Sequence, residues 1–449
     1  MSKLVREVAL DALLQVEKEQ AYSNLLLNQL VKKNEFSKRD VGLLTEIVYG
    51  TIQRKNTLDY FLSPFVKNGF ESIEQWVHVL LRLSVYQMLY LDRVPERAII
   101  HEAVMIASRR GHEGISGMVN GVLRSVQRQG QPSFETIKNE KKRMSLELSF
   151  PKWLVSRWID QYGEKDAKAI CQVSNQPPSV TIRVNRLKAT VEEVIERLRD
   201  EGMDVERGHL SPDAIIVHSG HVLSSNLYKE GYMTIQDESS MLVARALDVQ
   251  DNMHIVDACA APGGKSTHIA ERMNNNGQLY SLDLHKHKMH LIEEQANRLG
   301  LTCIKTKALD ARLSGDYLQG EQFDRVLVDA PCSGLGVIRR KPDIKWSKKP
   351  TDISAIQSIQ QELITVLSKH VKKDGKLLYS TCTIDKEENE GTVENFLKEH
   401  PQFELDRTLS SRLPKKLVEF GRYSPGMVTI LPQDFLTDGF FIACFNKVR

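Results

Sequence analysis

Apolar residues recur at helical spacing through the first part of the chain. In a helix that buries one face, they fall at positions i, i+3, i+4 and i+7. Four stretches follow this rhythm, at residues 5–16, 41–52, 77–91 and 99–107. The pattern predicts an all-α N-terminal domain over residues 1–130, with the apolar positions in its core.

The pattern changes after this helical region. Residues 131–170, which begin with a basic and less apolar stretch, are predicted to form a helical linker. Short β-rich runs at 180–184 and 214–218 then flank an amphipathic helix at 191–201. The sequence therefore predicts a small α+β module over residues 171–235.

Strands and helices alternate in the rest of the chain. Helical segments such as 285–299 and 352–371 separate short β-rich runs, which is typical of a parallel sheet covered by helices on both faces. We expect a Rossmann-like α/β domain over residues 236–449, with ligands beyond the carboxyl ends of its strands. The predicted strands are 254–259, 279–283, 303–306, 323–330, 376–382, 427–431 and 440–446.

Composition narrows the class of protein. Of the 449 residues, 41% are hydrophobic and 27% are charged, which excludes a disordered chain and a membrane bundle. The N-terminus lacks the apolar core of a signal peptide, so we expect a cytoplasmic protein. The six cysteines form no Cys-x-x-Cys pair, which argues against a zinc ribbon. With a net charge of only +3, a nucleic-acid partner would bind local basic patches.

The segment IVDACAAPGGKST places a glycine-containing turn between a strand and a helix, which is typical of a nucleotide site. One interpretation is a phosphate-binding P-loop, but Cys259 occupies its first glycine position and Pro262 removes a loop amide. The other is a nucleoside site in which Asp283, 20 residues after Gly263, accepts hydrogen bonds from ribose. Because no pyrophosphate-binding glycine motif is present, S-adenosylmethionine fits this site better than NAD does.

A further aspartate and two cysteines follow later strands. Asp310 either accepts a hydrogen bond from the adenine amino group or is an ordinary surface residue. Asp329 ends one predicted strand, Cys332 follows it by three residues, and Cys382 ends the next strand. If these two strands are neighbours, both thiols open into one cleft with the cofactor.

Two thiols, a carboxyl group and a methyl donor together suit the methylation of a pyrimidine at carbon 5. A thiolate that adds to C6 makes C5 nucleophilic, and a base must then remove the C5 proton so that the thiolate can leave. A carboxyl group can hydrogen-bond the N3/N4 edge of cytosine. Cys382, Cys332 and Asp329 are therefore the candidate catalytic residues, and the alternative is that both cysteines only pack in the core.

A basic segment, residues 339–349, begins seven residues after Cys332 and contains six Lys or Arg residues. It is either a solvated loop or a phosphate-binding edge of the cleft, with Trp346 available to stack on a base. The histidines at 285, 287 and 290 suggest a metal site only weakly, because no carboxylate has matching spacing. We therefore predict no metal.

The motifs DACAAPGGKST, DAPCSGLGVIRRKPDIKW and STCT resemble those of the RNA cytosine-C5 methyltransferases of the NOL1/NOP2/Sun family. The stretches LYLDRVPERAIIHEAV and MVNGVLR resemble the RNA-binding NusB-like domain, and together the resemblance covers essentially the whole chain. It implies that Cys382 is the nucleophile and that Cys332 helps to release the product. It also implies that the substrate is a cytosine in a hairpin loop of 16S rRNA.

The resemblance extends to the cofactor and to the partners. It implies an NusB-like domain over residues 1–130, an RNA-binding α+β module over 171–235 and a methyltransferase domain that binds S-adenosylmethionine. We expect a monomer with no obligate protein partner and no membrane association, and the alternative function is that of a non-catalytic RNA-binding ribosome-assembly factor. The implied cofactor-binding residues are Cys259, Ala260, Ala261, Pro262, Gly263, Gly264, Lys265, Asp283, Asp310 and Asp329.

Overall fold

The computed structural model describes residues 5–19, 23–34 and 36–448. No helix within these ranges is long and apolar enough to cross a bilayer. The predicted helical domain also includes residues 1–4, 20–22 and 35, which lie outside the described ranges. The chain divides into two compact units, the first consisting of Met1–Asn175 with Ile338–Lys348 and the second of Gln176–Val337 with Lys349–Arg449.

The first unit is helical, as the sequence predicts. Leu44, Leu80 and Leu123, which lie on three different helices, are fully buried in one apolar core. Short 3-10 helices lie at Ser63–Phe65, Phe70–Ser72 and Phe134–Thr136. The α-helices are Val5–Glu19, Ser23–Asn34, Lys38–Gln53, Lys55–Leu62, Gln75–Tyr90, Glu96–Arg110, Glu113–Gln129, Glu140–Glu147, Lys152–Ser174 and Ile344–Ser347.

Local sequence signals set the ends of these helices. Pro95 directly precedes the helix Glu96–Arg110, where its fixed φ is tolerated, and Gly111 follows the last turn and donates its N–H to the carbonyl of Ala107. Ser37 caps another helix by accepting a hydrogen bond from the N–H of Asp40. Pro95 and Gly111 therefore mark the start and the end of this helix.

The second unit begins with a small α+β module. Four antiparallel strands form a sheet in the order β2-β3-β1-β4. The strands are β1 (Val180–Val184), β2 (Asp204–Arg207), β3 (Ala214–Ser219) and β4 (Met233–Ile235). The helical segments are Val191–Asp200, Val222–Ser224 and Asn226–Lys229. The two predicted strands are the central β1 and β3, whereas the short edge strands β2 and β4 are too brief for the hydrophobic pattern to reveal.

A nine-stranded sheet forms the rest of the second unit. Its strands are β5 (Met253–Asp257), β6 (Gly277–Asp283), β7 (Ile304–Ala308), β8 (Phe323–Asp329), β9 (Val371–Thr381), β10 (Phe403–Leu405), β11 (Arg422–Ser424), β12 (Met427–Ile430) and β13 (Phe440–Lys447). The main order is β11-β12-β13-β9-β8-β5-β6-β7, and β10 pairs with β13. The α-helices are Glu238–Ala246, Gly264–Arg272, Met289–Leu299, Ser314–Leu318, Pro350–Ser368, Thr392–Glu399, Lys415–Phe420 and Pro432–Phe435. The other helical turns are Lys286–Lys288, Ala311–Leu313, Glu387–Gly391 and Arg407–Arg412.

The predicted multidomain fold class is confirmed, but the sheet is not parallel throughout. Strands β5 to β9 pair in parallel, whereas β10 to β13 pair antiparallel. The prediction of a purely parallel sheet is therefore wrong for the C-terminal strands. Short connections join β11 to β12 and β12 to β13, and such connections suit antiparallel neighbours rather than crossovers.

Candidate active site

A tight loop, Cys259–Gly263, joins β5 to the helix Gly264–Arg272. Gly263 precedes the helix with a φ of +107°, and a β-carbon at this position would lie 3.1 Å from Cα of Ile292. Its N–H donates to the carbonyl of Ala260 at 2.8 Å. Glycine is therefore required at position 263, and the loop holds its backbone tightly at the carboxyl end of β5, where this fold binds ligands.

Four carboxyl groups surround the thiol of Cys259. Burial, followed by the charges of Asp257, Asp329, Asp283 and Asp310, raises the pKa of this thiol well above its usual value. The thiol therefore stays protonated, and Cys259 contributes to the loop as a small neutral side chain. Three of these aspartates, at 283, 310 and 329, are predicted cofactor residues that the fold brings to one edge of the sheet.

Asp283 ends β6 and connects that strand to the loop after β5. Its Oδ2 accepts a hydrogen bond from the N–H of Ala261 at 3.2 Å, and its Oδ1 accepts one from the N–H of His285 at 3.0 Å. The carboxylate is buried beside the loop, in the position expected of a residue that accepts hydrogen bonds from ribose hydroxyl groups.

Asp257, the last residue of β5, was not singled out by the sequence analysis. Its Oδ2 accepts a hydrogen bond from Ser266 Oγ at 2.6 Å, whereas its Oδ1 is buried and has no hydrogen-bond partner among the described residues. Burial raises the pKa of Asp257 to about 7. An unpartnered buried acceptor beside the cofactor loop suits a ligand that donates hydrogen bonds or carries positive charge. The signal was present, since Asp257 directly precedes the glycine-containing turn.

Asp310 follows β7 and is paired within its own loop. Its carboxylate accepts hydrogen bonds from Nε and Nη2 of Arg312, the latter at 2.6 Å, and from the backbone N–H of the same residue at 3.0 Å. The hydrogen bonds from Arg312 lower the pKa of Asp310. Asp310 therefore lies at the predicted edge of the sheet and remains charged, with Arg312 as its immediate neighbour.

Lys265 and Asp329 form an ion pair at the centre of this edge. Lys265 Nζ lies 2.7 Å from Oδ2 of Asp329, and Ser380 Oγ donates to Oδ1 of the same carboxylate at 2.8 Å. The ammonium group also lies 5.1 Å from the centre of the Phe440 ring. Burial alone would lower the pKa of Lys265, but Asp329 and, to a smaller extent, Cys382 raise it. A fixed positive charge therefore stands beside the candidate catalytic residues.

The two candidate catalytic cysteines face each other. Strands β8 and β9 are adjacent and parallel, as predicted, and they place the Sγ atoms of Cys332 and Cys382 3.3 Å apart. The hydrogen bond with Cys382, together with burial, raises the pKa of Cys332 well above its usual value. The Cys332 thiol of this pair therefore favours its protonated form.

A second carboxylate that the sequence analysis did not single out lies beneath the two cysteine loops. Glu388, in the turn Glu387–Gly391, accepts hydrogen bonds from Ser333 and Thr383, the residues that follow the two cysteines. The acidic run Glu387–Glu390 shortly after STCT was the available signal. Its sequence alone does not identify which of the three glutamates faces inward.

The basic segment 339–349 behaves differently from the prediction. Lys345 is completely buried, and its Nζ donates to the carbonyl of Gln53 at 2.8 Å. Trp346 packs on the helical core and donates its indole N–H to the carbonyl of Ile52 at 2.6 Å. The prediction that Lys345 and Trp346 contact RNA is wrong, because the helical unit uses both side chains for its own packing. RNA contact by the other basic residues of this segment stays a prediction.

Other candidate residues form no separate site. Cys171 and Cys444 are buried, and burial raises the pKa of each thiol to about 12. Within residues 5–19, 23–34 and 36–448, no cluster of three or more His, Cys, Asp or Glu side chains is arranged to hold a metal ion. The rings of His285 and His287 lie 5.4 Å apart without forming such a cluster.

The fold and this site define a class of protein. A Rossmann-like sheet with an acidic nucleoside-type edge and paired thiols at the ends of adjacent strands is the arrangement of a methyltransferase. Three family models match successive parts of the chain: the NusB family over residues 3–128, the RsmF/B-like ferredoxin-like domain over 150–223 and the 16S rRNA methyltransferase RsmB/F over 244–446.

Similar proteins support the same assignment. The probable ribosomal RNA small subunit methyltransferase B of Bacillus subtilis is 52% identical over 443 residues, which cover 99% of this chain and 98% of that protein. The crystal structure of PH0851 covers 100% of both chains with a TM-score of 0.83 and 28% identity. NSun6 from Pyrococcus horikoshii, solved with SFG, covers 67% of this chain and 99% of its own, with a TM-score of 0.60 and 25% identity. The chain belongs to the RsmB/F family of methyltransferases.

Membership of this family excludes two alternatives that the sequence left open. The methyltransferase assignment excludes the P-loop ATPase interpretation of the loop after β5, and the geometry agrees, because Lys265 is paired with Asp329. The same assignment identifies the chain as an enzyme of the methyltransferase class rather than a vestigial scaffold.

Proposed function

We propose that this methyltransferase transfers a methyl group from S-adenosylmethionine to carbon 5 of a cytosine in 16S rRNA through a covalent cysteine–C6 adduct. The observation that carries the proposal is the 3.3 Å separation between Sγ of Cys332 and Sγ of Cys382, beside the Lys265–Asp329 ion pair. Two facing thiols next to a fixed carboxylate and a fixed cation match the needs of this reaction and of few others.

The cofactor edge has the donor and acceptor groups that S-adenosylmethionine requires. Asp283 would accept from the ribose hydroxyls, Asp310 from the adenine amino group, and the unpartnered Oδ1 of Asp257 would face the positively charged part of the cofactor. The loop Cys259–Gly263 with Gly264 and Lys265 would close around it. The relative NSun6 was solved with SFG, an analogue of S-adenosylmethionine. When bound, the cofactor supplies an electrophilic methyl group on a sulfonium.

The chain's own residues supply the rest of the chemistry. The thiolate of Cys382 would form a bond to C6 of cytosine, and the electron pair released from the C5–C6 double bond would make C5 the nucleophile that accepts the methyl group supplied by the bound cofactor. Asp329 hydrogen-bonds the N3/N4 edge while charge shifts in the ring. Removal of the C5 proton re-forms the C5–C6 double bond and expels Cys382 as thiolate.

The charges around the pair support Cys382 as the nucleophile. Lys265 interacts with Cys382, and a neighbouring cation stabilises a thiolate. Cys332 keeps its proton chiefly because of the hydrogen bond with Cys382. Once Cys382 is bonded to carbon it carries no negative charge, so this cause weakens. Cys332 can then give its own proton to solvent and, as a thiolate, accept the C5 proton.

The RNA partner is inferred from the relatives and the domains. The curated relatives are named ribosomal RNA small subunit methyltransferases, and the N-terminal part matches the NusB family. We assign RNA binding to the NusB-like domain at residues 1–130 and to the α+β module at 171–235, joined by the segment 131–170. The methyltransferase domain covers 236–449, and the enzyme acts as a monomer.

The test uses the intact enzyme and small-subunit rRNA from cells that lack it. Wild type should incorporate labelled methyl groups, and bisulfite sequencing should show one protected cytosine. Cys382→Ala should abolish turnover without forming an adduct, whereas Cys332→Ala should accumulate a covalent enzyme–RNA species on a denaturing gel.

Three outcomes would contradict this proposal. An adduct with Cys382→Ala and none with Cys332→Ala would reverse the roles of the two cysteines. Methyl transfer to rRNA without any protected cytosine would place the reaction at another atom. The absence of incorporation into naked rRNA and into partly assembled subunits would show that small-subunit rRNA is not the substrate.

A further inference from the structure

A carboxylate that the proposed chemistry does not use lies directly beneath both catalytic loops. Glu388 is fully buried, and it belongs to the short π-helical turn Glu387–Gly391 that follows β9 and the Cys382 loop. Burial raises its pKa. Burying a carboxyl group is costly unless it is fully hydrogen-bonded, so its location calls for a specific role.

The Glu388 carboxylate holds one residue from each cysteine loop. Its Oε2 accepts from the backbone N–H of Ser333 at 2.8 Å, and its Oε1 accepts from the hydroxyl groups of Ser333 and of Thr383, the latter at 3.0 Å. The two hydroxyl oxygens lie 2.8 Å from each other. Ser333 follows Cys332 and Thr383 follows Cys382, so a single carboxylate connects the immediate neighbours of both thiols.

Glu388 is itself held from two further sides. Gln360 Nε2 donates to its Oε2 at 3.0 Å and also to the carbonyl of Pro331 at 2.9 Å, at the start of the Cys332 loop. The hydroxyl group of Tyr379, on β9, donates to the backbone carbonyl of Glu388 at 2.7 Å. The backbone of Glu388 is therefore tied to strand β9, and its carboxylate is tied to the start of the Cys332 loop through Gln360.

A carboxylate suits this arrangement. The four donors that converge on it need acceptors on both oxygens, and an ionised Glu offers them. A glutamine keeps one acceptor oxygen, which could serve the N–H groups of Ser333 and Gln360, but the hydroxyl groups of Ser333 and Thr383 would then have to turn and accept from its amide NH2 group, which changes the connection between the two loops. The four donors are neutral, so their geometry rather than an ion pair defines the site.

We propose that Glu388 is a positioning residue that sets the separation between the thiols of Cys332 and Cys382. It acts through Ser333 and Thr383 and touches neither substrate nor cofactor. Its catalytic consequence rests on the proposed function, because only a reaction that uses both thiols needs their separation fixed. A misplacement of about 1 Å at a reacting group can cost about 100-fold in rate.

The separation between the two thiols can be tested without RNA, through the rate at which they form a disulfide. Diamide accepts two hydrogens from a pair of thiols and is reduced to the hydrazine, while the two sulfur atoms form a disulfide. In wild type, with its Sγ atoms 3.3 Å apart, the Cys332–Cys382 disulfide should form readily in native protein and be identified by peptide mass spectrometry. Glu388→Gln should slow this oxidation by about 10-fold or more, as expected when the two loops move apart.

The matched control is Glu390→Gln. Glu390 lies in the same turn, is largely buried with a raised pKa, and is hydrogen-bonded by Thr429 at 3.3 Å rather than by a cysteine loop. The Glu390→Gln variant should form the Cys332–Cys382 disulfide at the wild-type rate. Thr383→Val, which removes one donor and leaves Glu388 in place, should slow oxidation by a smaller factor, and it decides the question if Glu388→Gln does not fold.

Methyl transfer supplies the second readout. Glu388→Gln should lose about 100-fold in kcat, with its KM for S-adenosylmethionine close to that of wild type. Wild-type rates of both oxidation and methylation in Glu388→Gln would overturn the inference. So would a loss of kcat accompanied by an equal loss in Glu390→Gln, or by unchanged thiol oxidation.

Failure of the proposed function and failure of the role of Glu388 would give different combinations of methylation and oxidation results. If wild type methylates no cytosine at C5 while the oxidation rates still separate Glu388→Gln from Glu390→Gln, then Glu388 positions the thiols and the assigned reaction is wrong. If wild type methylates cytosine and the oxidation rates do not differ, the reaction stands and the role of Glu388 is wrong.

Discussion

Two lysines, one in each unit, are shielded from solvent in contrasting surroundings, Lys345 completely and Lys265 for the most part. Lys265, at the carboxyl edge of the large sheet, lies 2.7 Å from the carboxylate of Asp329. Lys345, in the helical unit, donates to the carbonyl of Gln53 and to Oδ1 of Asn175 at 2.8 and 3.1 Å, and its Nζ lies 4.0 Å from the centre of the Phe150 ring.

The partner decides the charge of each lysine. Burial lowers the pKa of Lys345 well below its usual value, because its oxygen partners are neutral. Burial would do the same to Lys265, but Asp329 more than offsets it and raises the pKa. The comparison teaches that burial alone marks neither lysine as functional. The one with a carboxylate partner keeps a fixed charge that chemistry can use, and the other is a packing anchor.

Removing the charged lysine should have the largest effect. Lys265→Met would leave Asp329 without its cation and Cys382 without its neighbouring positive charge. Loss of one preorganised electrostatic partner commonly costs about 100-fold or more in kcat. We expect a loss of this size in single-turnover methyl transfer, together with slower formation of the covalent adduct in the Cys332→Ala background.

The exposed Lys415, on the helix Lys415–Phe420, provides a matched Lys→Met control that should retain wild-type activity. If Lys265→Met also kept wild-type turnover, then the contrast between the two buried lysines would have no catalytic meaning.

Sequence reasoning treated both lysines as candidates for the cleft, because each lies in a motif near a cysteine. It was right to place Lys265 at the cofactor edge, since the strand-turn-helix pattern there is local. It could not foresee the burial of Lys345, because its hydrogen bond to Gln53 joins residues 292 positions apart in the chain. Such long-range packing leaves no periodic trace in the sequence.

The same limit explains what was found and missed at the candidate site. The carboxyl ends of β8 and β9 could be identified from strand patterns, and their adjacency brings Cys332 and Cys382 together. Glu388 was missed for two reasons. Its hydrogen bond to Ser333 joins residues 55 positions apart, and two further glutamates lie in the same short turn, so the sequence does not distinguish it from them. The antiparallel pairing of β12 and β13 was missed because a run of apolar residues does not reveal strand direction.

A buried histidine, His268, should have an effect between those of the two lysines, and this effect is on stability. His268 lies 3.4 Å from Asp213, yet burial and then the charge of Arg183 lower its pKa to about 3. A group with a depressed folded-state pKa contributes stability that is fully present above its unfolded value of 6.5 and is lost as pH falls toward 3. Between pH 7 and pH 5 the protein should lose about 2 kcal/mol of unfolding free energy from this group.

Urea unfolding at the two pH values measures the change. The pKa of Asp213 is also lowered, but its effect begins only below its unfolded value of 3.8. Asp257 titrates in the same window with the opposite sign, because its raised pKa makes the folded state bind a proton as the pH falls below 7. The contribution of His268 is therefore read from the difference between wild type and a His268 variant. Between pH 7 and pH 5, His268→Gln should lose about 2 kcal/mol less unfolding free energy than wild type does, whereas His254→Gln, at an exposed position, should follow wild type. An equal slope in both variants would show that His268 is protonated in the folded state and keeps its charge beside Asp213, as Lys265 does beside Asp329.

The smallest effect is expected from the packing lysine. Lys345→Met relieves the cost of burying an amine whose charged form is disfavoured, but it leaves the carbonyl of Gln53 and Oδ1 of Asn175 without this donor. Each lost donor costs on the order of 1–3 kcal/mol, and the relieved desolvation is of similar size. We therefore expect the unfolding free energy at pH 7 to change by no more than about 1 kcal/mol, with methyl transfer unchanged.

The pH dependence of stability separates the cost of burying the amine of Lys345 from the gain of its two hydrogen bonds. Because its folded-state pKa is depressed, its contribution is greatest above the unfolded value of 10.5 and falls as the pH is lowered through the folded-state pKa. The stability of wild type relative to Lys345→Met should therefore rise between pH 7 and pH 10 in urea unfolding. A flat difference with a loss above about 3 kcal/mol would be the signature of a paired buried charge. It would show that Lys345 stays charged in the helical unit as Lys265 does at the sheet edge, and the comparison between them would fail.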